Sequence, residues 1–123
     1  YFDCIICTQT LHLVADLNAG LATLYRILKP AGILLVTVPG ISKIYRDDTE
    51  EWGDFWRFTT HSARWVMEQH FPSTHVKVQA RGNVLAATAF LQGLATEELA
   101  QKDLDHVDID YQMSLFMRGE KPH

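Results

Sequence analysis

Four groups of side chains in this sequence have the type and spacing to do chemistry. Cys4-Ile-Ile-Cys7 has the C-x-x-C spacing of redox and metal sites. A reactive thiol of that kind needs a helix N-terminus to hold its thiolate. Here the pair lies within Phe2-Asp-Cys-Ile-Ile-Cys-Thr8, an apolar, β-branched run that predicts a strand buried on both faces. A three-residue step along a strand sends the two sulfurs to opposite faces, so two buried, reduced core thiols are expected. Asp103-x-Asp105-x-x-Asp108-x-Asp110 is dense enough for calcium. It lacks the turn glycine and the bidentate glutamate that a calcium loop needs, and it reads as a solvated connector. The six histidines show no ligand spacing such as H-x-x-x-H, so no metal site is predicted.

The other two groups are harder to set aside. Thr8-Gln9-Thr10-Leu11-His12 comes directly after the predicted strand, and open α/β sheets bind ligands in the crevice outside the strand ends. His12 there is either a packed structural residue or a general base. Phe55-Trp56-Arg57-Phe58 closes a long segment, Ile41 to Phe58, that carries an acidic cluster of Asp47, Asp48, Glu50, Glu51 and Asp54. Segments of that length without periodicity are usually functional or mobile. Two readings stand. Either the aromatics tuck back onto the core, or Trp56, Arg57 and Phe58 form a substrate lid. In the second, the rings supply contact area and Arg57 a fixed donor fork.

The elements that must position these groups are legible around them. Leu17, Leu21, Leu24 and Leu28 fall on one helical stripe, with Asp16 placed to cap the start and Arg26 and Lys29 at the far end. Pro30 stops this helix, and Ile33-Leu-Leu-Val-Thr-Val38 comes next as a second strand apolar on both faces. Strand, helix, strand is a βαβ unit with a parallel pair. Further on, Thr59 or Thr60 starts a helix reaching about His70, with Ala63, Val66 and Met67 inward. His75–Ala80 alternates like a strand with one wet face, and Val84–Leu94 is a helix rich in small residues. Thr96 with Glu97 and Glu98 opens a short helix, Tyr111–Met117 reads as the last strand, and Gly119–His123 as a frayed tail.

The first forty residues also resemble a known family. Tyr1-Phe-Asp-Cys-Ile-Ile-Cys-Thr-Gln-Thr-Leu-His-Leu-Val14, and then Leu24-Tyr-Arg-Ile-Leu-Lys-Pro-Ala-Gly-Ile-Leu-Leu-Val36, is similar to the middle of a class I S-adenosylmethionine-dependent methyltransferase, type 11-like. The pattern is a strand opening Phe-Asp, a Ser/Thr-x-x-Leu-His turn and a helix ending Leu-Lys-Pro-Gly-Gly. Ala31 stands where the family usually has the first of those glycines. The Trp-Arg-Phe-Thr segment at Trp56–Thr59 is a weaker likeness to the same superfamily. The resemblance implies an α/β, Rossmann-like fold ordered 3-2-1-4-5-7-6, in which these two strands are the fourth and fifth. Residues 1–123 would then be a single partial domain, the C-terminal half, with a mixed, mostly parallel sheet of strands 4-5-7-6 and flanking helices. The family's Gly-rich cofactor turn has no counterpart here, since no two glycines lie closer than Gly32 and Gly40.

The resemblance further implies S-adenosylmethionine as cofactor, its methionine end beside Thr8 and Gln9, and methyl transfer to an unidentified small-molecule acceptor. His12 is the local base for an oxygen or nitrogen acceptor. The chain alone is expected to be inactive and to self-associate through its exposed first strand. Alternatives from other classes are a non-catalytic interaction module and an NAD(P)-binding half-domain. Composition narrows partners and place. A net charge of −4, with the 11 basic residues scattered, offers no stripe for nucleic acid. No apolar run approaches the roughly 20 residues of a membrane helix. Two cysteines and no signal-like start fit a cytoplasmic protein. At 47% apolar and 21% charged, the chain has ordinary globular usage.

Overall fold

A computed structural model describes residues 1–123 apart from the side chains of Asp48 and Thr49; the Asp48 carboxylate named above in the acidic cluster therefore lies outside the described groups. The first strand, β1, spans Phe2–Thr8 and leads into α1 at Leu17–Ile27. Asp16 caps that helix as its sequence implies, its Oδ1 accepting the Ala19 N–H at 2.9 Å. The helix ends at Ile27 rather than Lys29, because Leu28 is already extended and begins β2, Leu28–Pro39. Proline at position 30 disfavours helical backbone in the residue before it, so the turn must come early. Within β2, Ala31 sits at φ +61°, in the left-handed region that costs a residue with a Cβ. The alanine thus occupies a backbone position suited to glycine. The β1–β2 register shifts between Phe2 and Cys4, alongside this irregularity.

Beyond β2 come α2 (Arg46–Glu51), α3 (Thr60–Glu68), β3 (Val76–Arg81), α4 (Val84–Leu91), α5 (Gln101–Asp105) and β4 (Ser114–Glu120). Thr59 and Ser62 cap α3 reciprocally, each side chain accepting the other's backbone N–H. Asn83 caps α4 through the Ala86 N–H at 2.9 Å. Its amide also donates to the carbonyls of Asp103 (2.7 Å) and His106 (2.8 Å), which moors the acidic connector.

The sheet order is β1-β2-β4-β3. β1 and β2 are parallel, with α1 as the crossover, and β4 runs antiparallel between β2 and β3. That is the 4-5-7-6 arrangement expected from the resemblance. On one face, Leu34, Val36, Val38, Leu115 and Met117 pack with Leu21 of α1 and with Ala63, Met67 and Phe71 of and beside α3. Gly119 lies under this layer, where a Cβ would come within 2.7 Å of the Met67 methyl and 3.0 Å of the Phe71 ring.

Two expectations need correction here. The last strand is Ser114–Glu120, not Tyr111–Met117, and the tail after it is pinned rather than frayed. Lys121 Nζ donates to the carbonyls of Tyr25 (3.0 Å) and Leu28 (2.8 Å) and lies 4.7 Å from the Tyr25 ring centre. Secondly, β1 and β2 are not buried on both faces. The register puts Cys4 and Ile6 in line with Ile33, Leu35 and Phe116 on a face that no described helix covers, and Ile6 is 72% exposed. Cys4 is therefore exposed and Cys7, on the helix-covered side, half-buried, contrary to the expected pair of core thiols.

Candidate functional site

The candidate site lies where β1 and β2 end. Thr8 pairs with Thr37, and the chain then turns sharply at Gln9, whose φ is +48°. A non-glycine residue held there stores about 1–3 kcal/mol and persists only where its surroundings enforce it. Gln9 N–H donates to the Thr37 carbonyl at 2.9 Å and to its Oγ1 at 3.2 Å. Gln9 Nε2 reaches the same hydroxyl at 3.4 Å, and Thr10 Oγ1 donates to the Thr8 carbonyl at 2.9 Å. Thr8, Gln9 and Thr10 are all exposed, so this enforced turn presents itself to the crevice.

His12 comes next, in a short 3-10 turn, Leu11–Leu13, and is only 5% exposed. It borders a cavity of about 360 Å³ together with Gln9, Pro39, Ser42, Tyr45 and Phe90. Its carbonyl accepts the N–H groups of Phe55 (2.9 Å) and Trp56 (3.2 Å), so the segment after β2 is stitched directly onto the turn after β1. Ser42, Tyr45 and Phe90 are missed by sequence reasoning. They carry no motif, and only the approach of α4 and of the segment after β2 to the strand ends brings them to His12.

The same stitching fixes the side chains of the aromatic segment. Asp54, with a side chain 1% exposed, receives both arms of Arg57: Nη1 to Oδ1 at 2.6 Å and Nη2 to Oδ2 at 2.8 Å. Arg57 also donates to the carbonyls of Lys43 (2.8 Å), Trp56 (2.9 Å) and Ser42 (3.5 Å). The guanidinium holds the Asp54 carboxyl below the ordinary carboxylate range against the opposing effect of burial, and the nearby His12 adds to the lowering. The fork expected to await substrate is therefore already filled from within the chain. Trp56 Nε1 donates to the Val14 carbonyl at 2.9 Å, and the residue is 41% exposed. Phe58 is in the core at 4% exposure, its N–H on the Pro39 carbonyl at 2.9 Å. So Phe58 tucks inward, Arg57 braces, and Trp56 remains half outside.

The residues singled out from sequence thus fall into two places. Gln9 and His12 share the strand-end cavity. Trp56, Arg57 and Phe58 border a larger cleft of about 810 Å³ between the start of α1 and α3, and the two have no lining residue in common. Among the described residues no helix is long and apolar enough to cross a membrane.

Comparison with known proteins agrees with this architecture. A family model described as a methyltransferase domain matches residues 1–83. Among solved structures, phosphoethanolamine N-methyltransferase 2 of Haemonchus contortus, bound to phosphomonomethylethanolamine and S-adenosylhomocysteine, superposes with a TM-score of 0.60 at 14% identity, covering 99% of this chain and 34% of that one. A methyltransferase from Thermotoga maritima gives 0.59 at 20% identity, covering 98% and 56%. One from Archaeoglobus fulgidus gives 0.57 at 11% identity, covering 98% and 60%. At these identities the likeness is one of fold, and the chain spans between about a third and three fifths of the length of these proteins. Among curated proteins none matches the sequence. With residues 1–83 matched and the sheet in the expected order, the chain belongs to the methyltransferase domain family.

Proposed function

We propose that residues 1–123 form the C-terminal half of an S-adenosylmethionine-dependent methyltransferase acting on a small molecule, with the Gly-rich half supplied by sequence upstream. The observation that carries this reading is the enforced Gln9 turn, opening with buried His12 onto one cavity at the ends of two parallel strands. The residues present fit one wall of the cofactor. Thr8 and Gln9 are exposed where the methionine end would lie, with the Gln9 side-chain carbonyl as an acceptor there, whereas no glycine-rich turn is present to cradle the rest. When bound, the cofactor supplies a methyl group on an electrophilic sulfonium.

The chain's own residues then have distinct tasks. His12 takes the acceptor's O–H or N–H proton on its ring, with the Asp54 carboxylate nearby to stabilise the resulting imidazolium. Tyr45 and Phe90 line the cavity with aromatic surface. Trp56, Arg57 and Phe58 serve the acceptor through the brace they form: it holds the Phe55 and Trp56 N–H groups on the His12 carbonyl and so fixes the turn that carries the base. Without its preceding half, β1 has a free edge, and a second copy of the chain pairs with it. The two uncrosslinked thiols suit a reducing compartment such as the cytoplasm.

Calorimetry tests the cofactor reading. The 123-residue chain should bind S-adenosylmethionine weakly or not at all, and a chain extended upstream through the Gly-rich turn should bind it in the micromolar range. In the extended protein, His12→Asn should lower kcat while leaving cofactor affinity unchanged. No heat from either protein would refute the reading and favour a non-catalytic module. Sedimentation showing a monomer at high concentration would refute the pairing of β1.

A further inference from the structure

The larger cleft has features that the strand-end chemistry does not use. Its volume of about 810 Å³ is within the range of clefts that enclose small organic ligands. Two indoles border it, Trp56 and Trp65. Trp56 is held in place through its Nε1 bond to the Val14 carbonyl, while Trp65 leaves α3 65% exposed.

The polar groups around the rings define the charge a ligand would meet. The Arg57 guanidinium is answered by Asp54, and Asn18 is engaged with His70 at 2.8 Å. Gln69 spends its amide nitrogen on the Trp65 carbonyl at 3.1 Å. Asp16 borders the same cleft, with one oxygen capping α1 through Ala19. Among the described residues no Lys or Arg pairs with it. Its full negative charge outweighs the roughly half positive charge of the helix end it caps. The cleft therefore has two indoles in its lining and a net negative charge beside them.

We propose that this cleft binds a small organic cation, an aromatic or quaternary ammonium, seated against Trp56 and Trp65 with Asp16 as its counter-charge. Ring quadrupoles attract a cation placed over them, indole most strongly, and ammonium groups without N–H donors depend on that attraction. The proposal is independent of the cofactor and of His12.

The test is a titration of the purified chain with benzyltrimethylammonium, read on the indole N–H resonances and run against benzyl alcohol as an uncharged control. The expected result is saturable shifts at Trp56 and Trp65 for the cation and none for the alcohol. Two variants separate binding from folding. Asp16→Asn keeps the helix cap, since asparagine caps as well as aspartate, and Trp65→Ala removes a ring that the core does not use. Each should weaken binding about fivefold or more. Absence of saturable shifts, equal binding of the alcohol, or unchanged affinity in either variant would overturn the proposal.

Discussion

Replacing Asp54 by asparagine removes one negative charge from the brace while preserving its shape. Breaking one side of a fully buried ion pair costs about 3–5 kcal/mol, and an exposed pair contributes about 0–1 kcal/mol. This pair lies between those limits. The Asp54 side chain is 1% exposed and Arg57 27%, so the stranded guanidinium can reach water and keeps its bonds to the carbonyls of Lys43 and Trp56. A loss of about 2 kcal/mol at neutral pH is expected, measured by urea denaturation of the two proteins under identical conditions. The pH dependence carries the sharper test. The Asp54 carboxyl titrates below its ordinary value in the folded chain, so its contribution is fully present above the unfolded value of about 3.9. It fades as pH falls through the lower folded value. The gap between wild type and Asp54→Asn should thus be constant from pH 7 to about 5 and narrow below about 4. A gap under about 0.5 kcal/mol at pH 7, or one that does not narrow in acid, would show that the carbonyl contacts alone hold the segment.

Thiol titration of the folded chain should find one fast-reacting equivalent, exposed Cys4, and a slower one at Cys7, whose pKa burial raises. Ala31→Gly should stabilise the chain by about 0.5–1 kcal/mol in the same denaturation assay, because relief of the left-handed strain exceeds the added entropy of the unfolded glycine. Asn83→Ala should cost about 2–3 kcal/mol. It removes a helix cap and leaves the Asp103 and His106 carbonyls without their donor, and hydrogen exchange should rise across α4 and α5 together.

The βαβ opening is legible in the sequence because its signals are local. The change of period at Asp16, the capping carboxylate and Pro30 all act within a few residues of where they stand. The last strand is misplaced by sequence because its limits are set from a distance. Gly119 is in β4 since the Met67 and Phe71 side chains leave room for nothing larger, and Lys121 is ordered by carbonyls of α1 and β2. The cysteines mislead for a related reason. An apolar strand signals burial, but no sequence pattern says whether both of its faces are covered within the same chain. At the site, Gln9 and His12 can be expected near one another at the strand ends because the crevice there is a rule of the fold, and they border one cavity. The occupation of Arg57 by Asp54, three residues before it, depends on a turn that composition does not reveal. The Trp56 ring is held in a cavity apart from His12 by its Nε1 bond to the Val14 carbonyl, a contact across 42 residues that no local pattern announces.

The position of β4 between β2 and β3 also constrains how this chain can reach its native state. Among the described residues β3 pairs in the sheet only with β4, which appears after α4, α5 and the acidic connector. The opening βαβ unit can form early from nearby contacts, but β3 and the outer part of the hydrophobic layer must wait for a later segment to thread between them. Contacts so distant in sequence slow folding and leave strand edges unpaired meanwhile. Insertion of Ser114–Glu120 is therefore expected to be the slow step, and a larger side chain at Gly119, which faces the Met67 methyl and the Phe71 ring, is expected to slow it further.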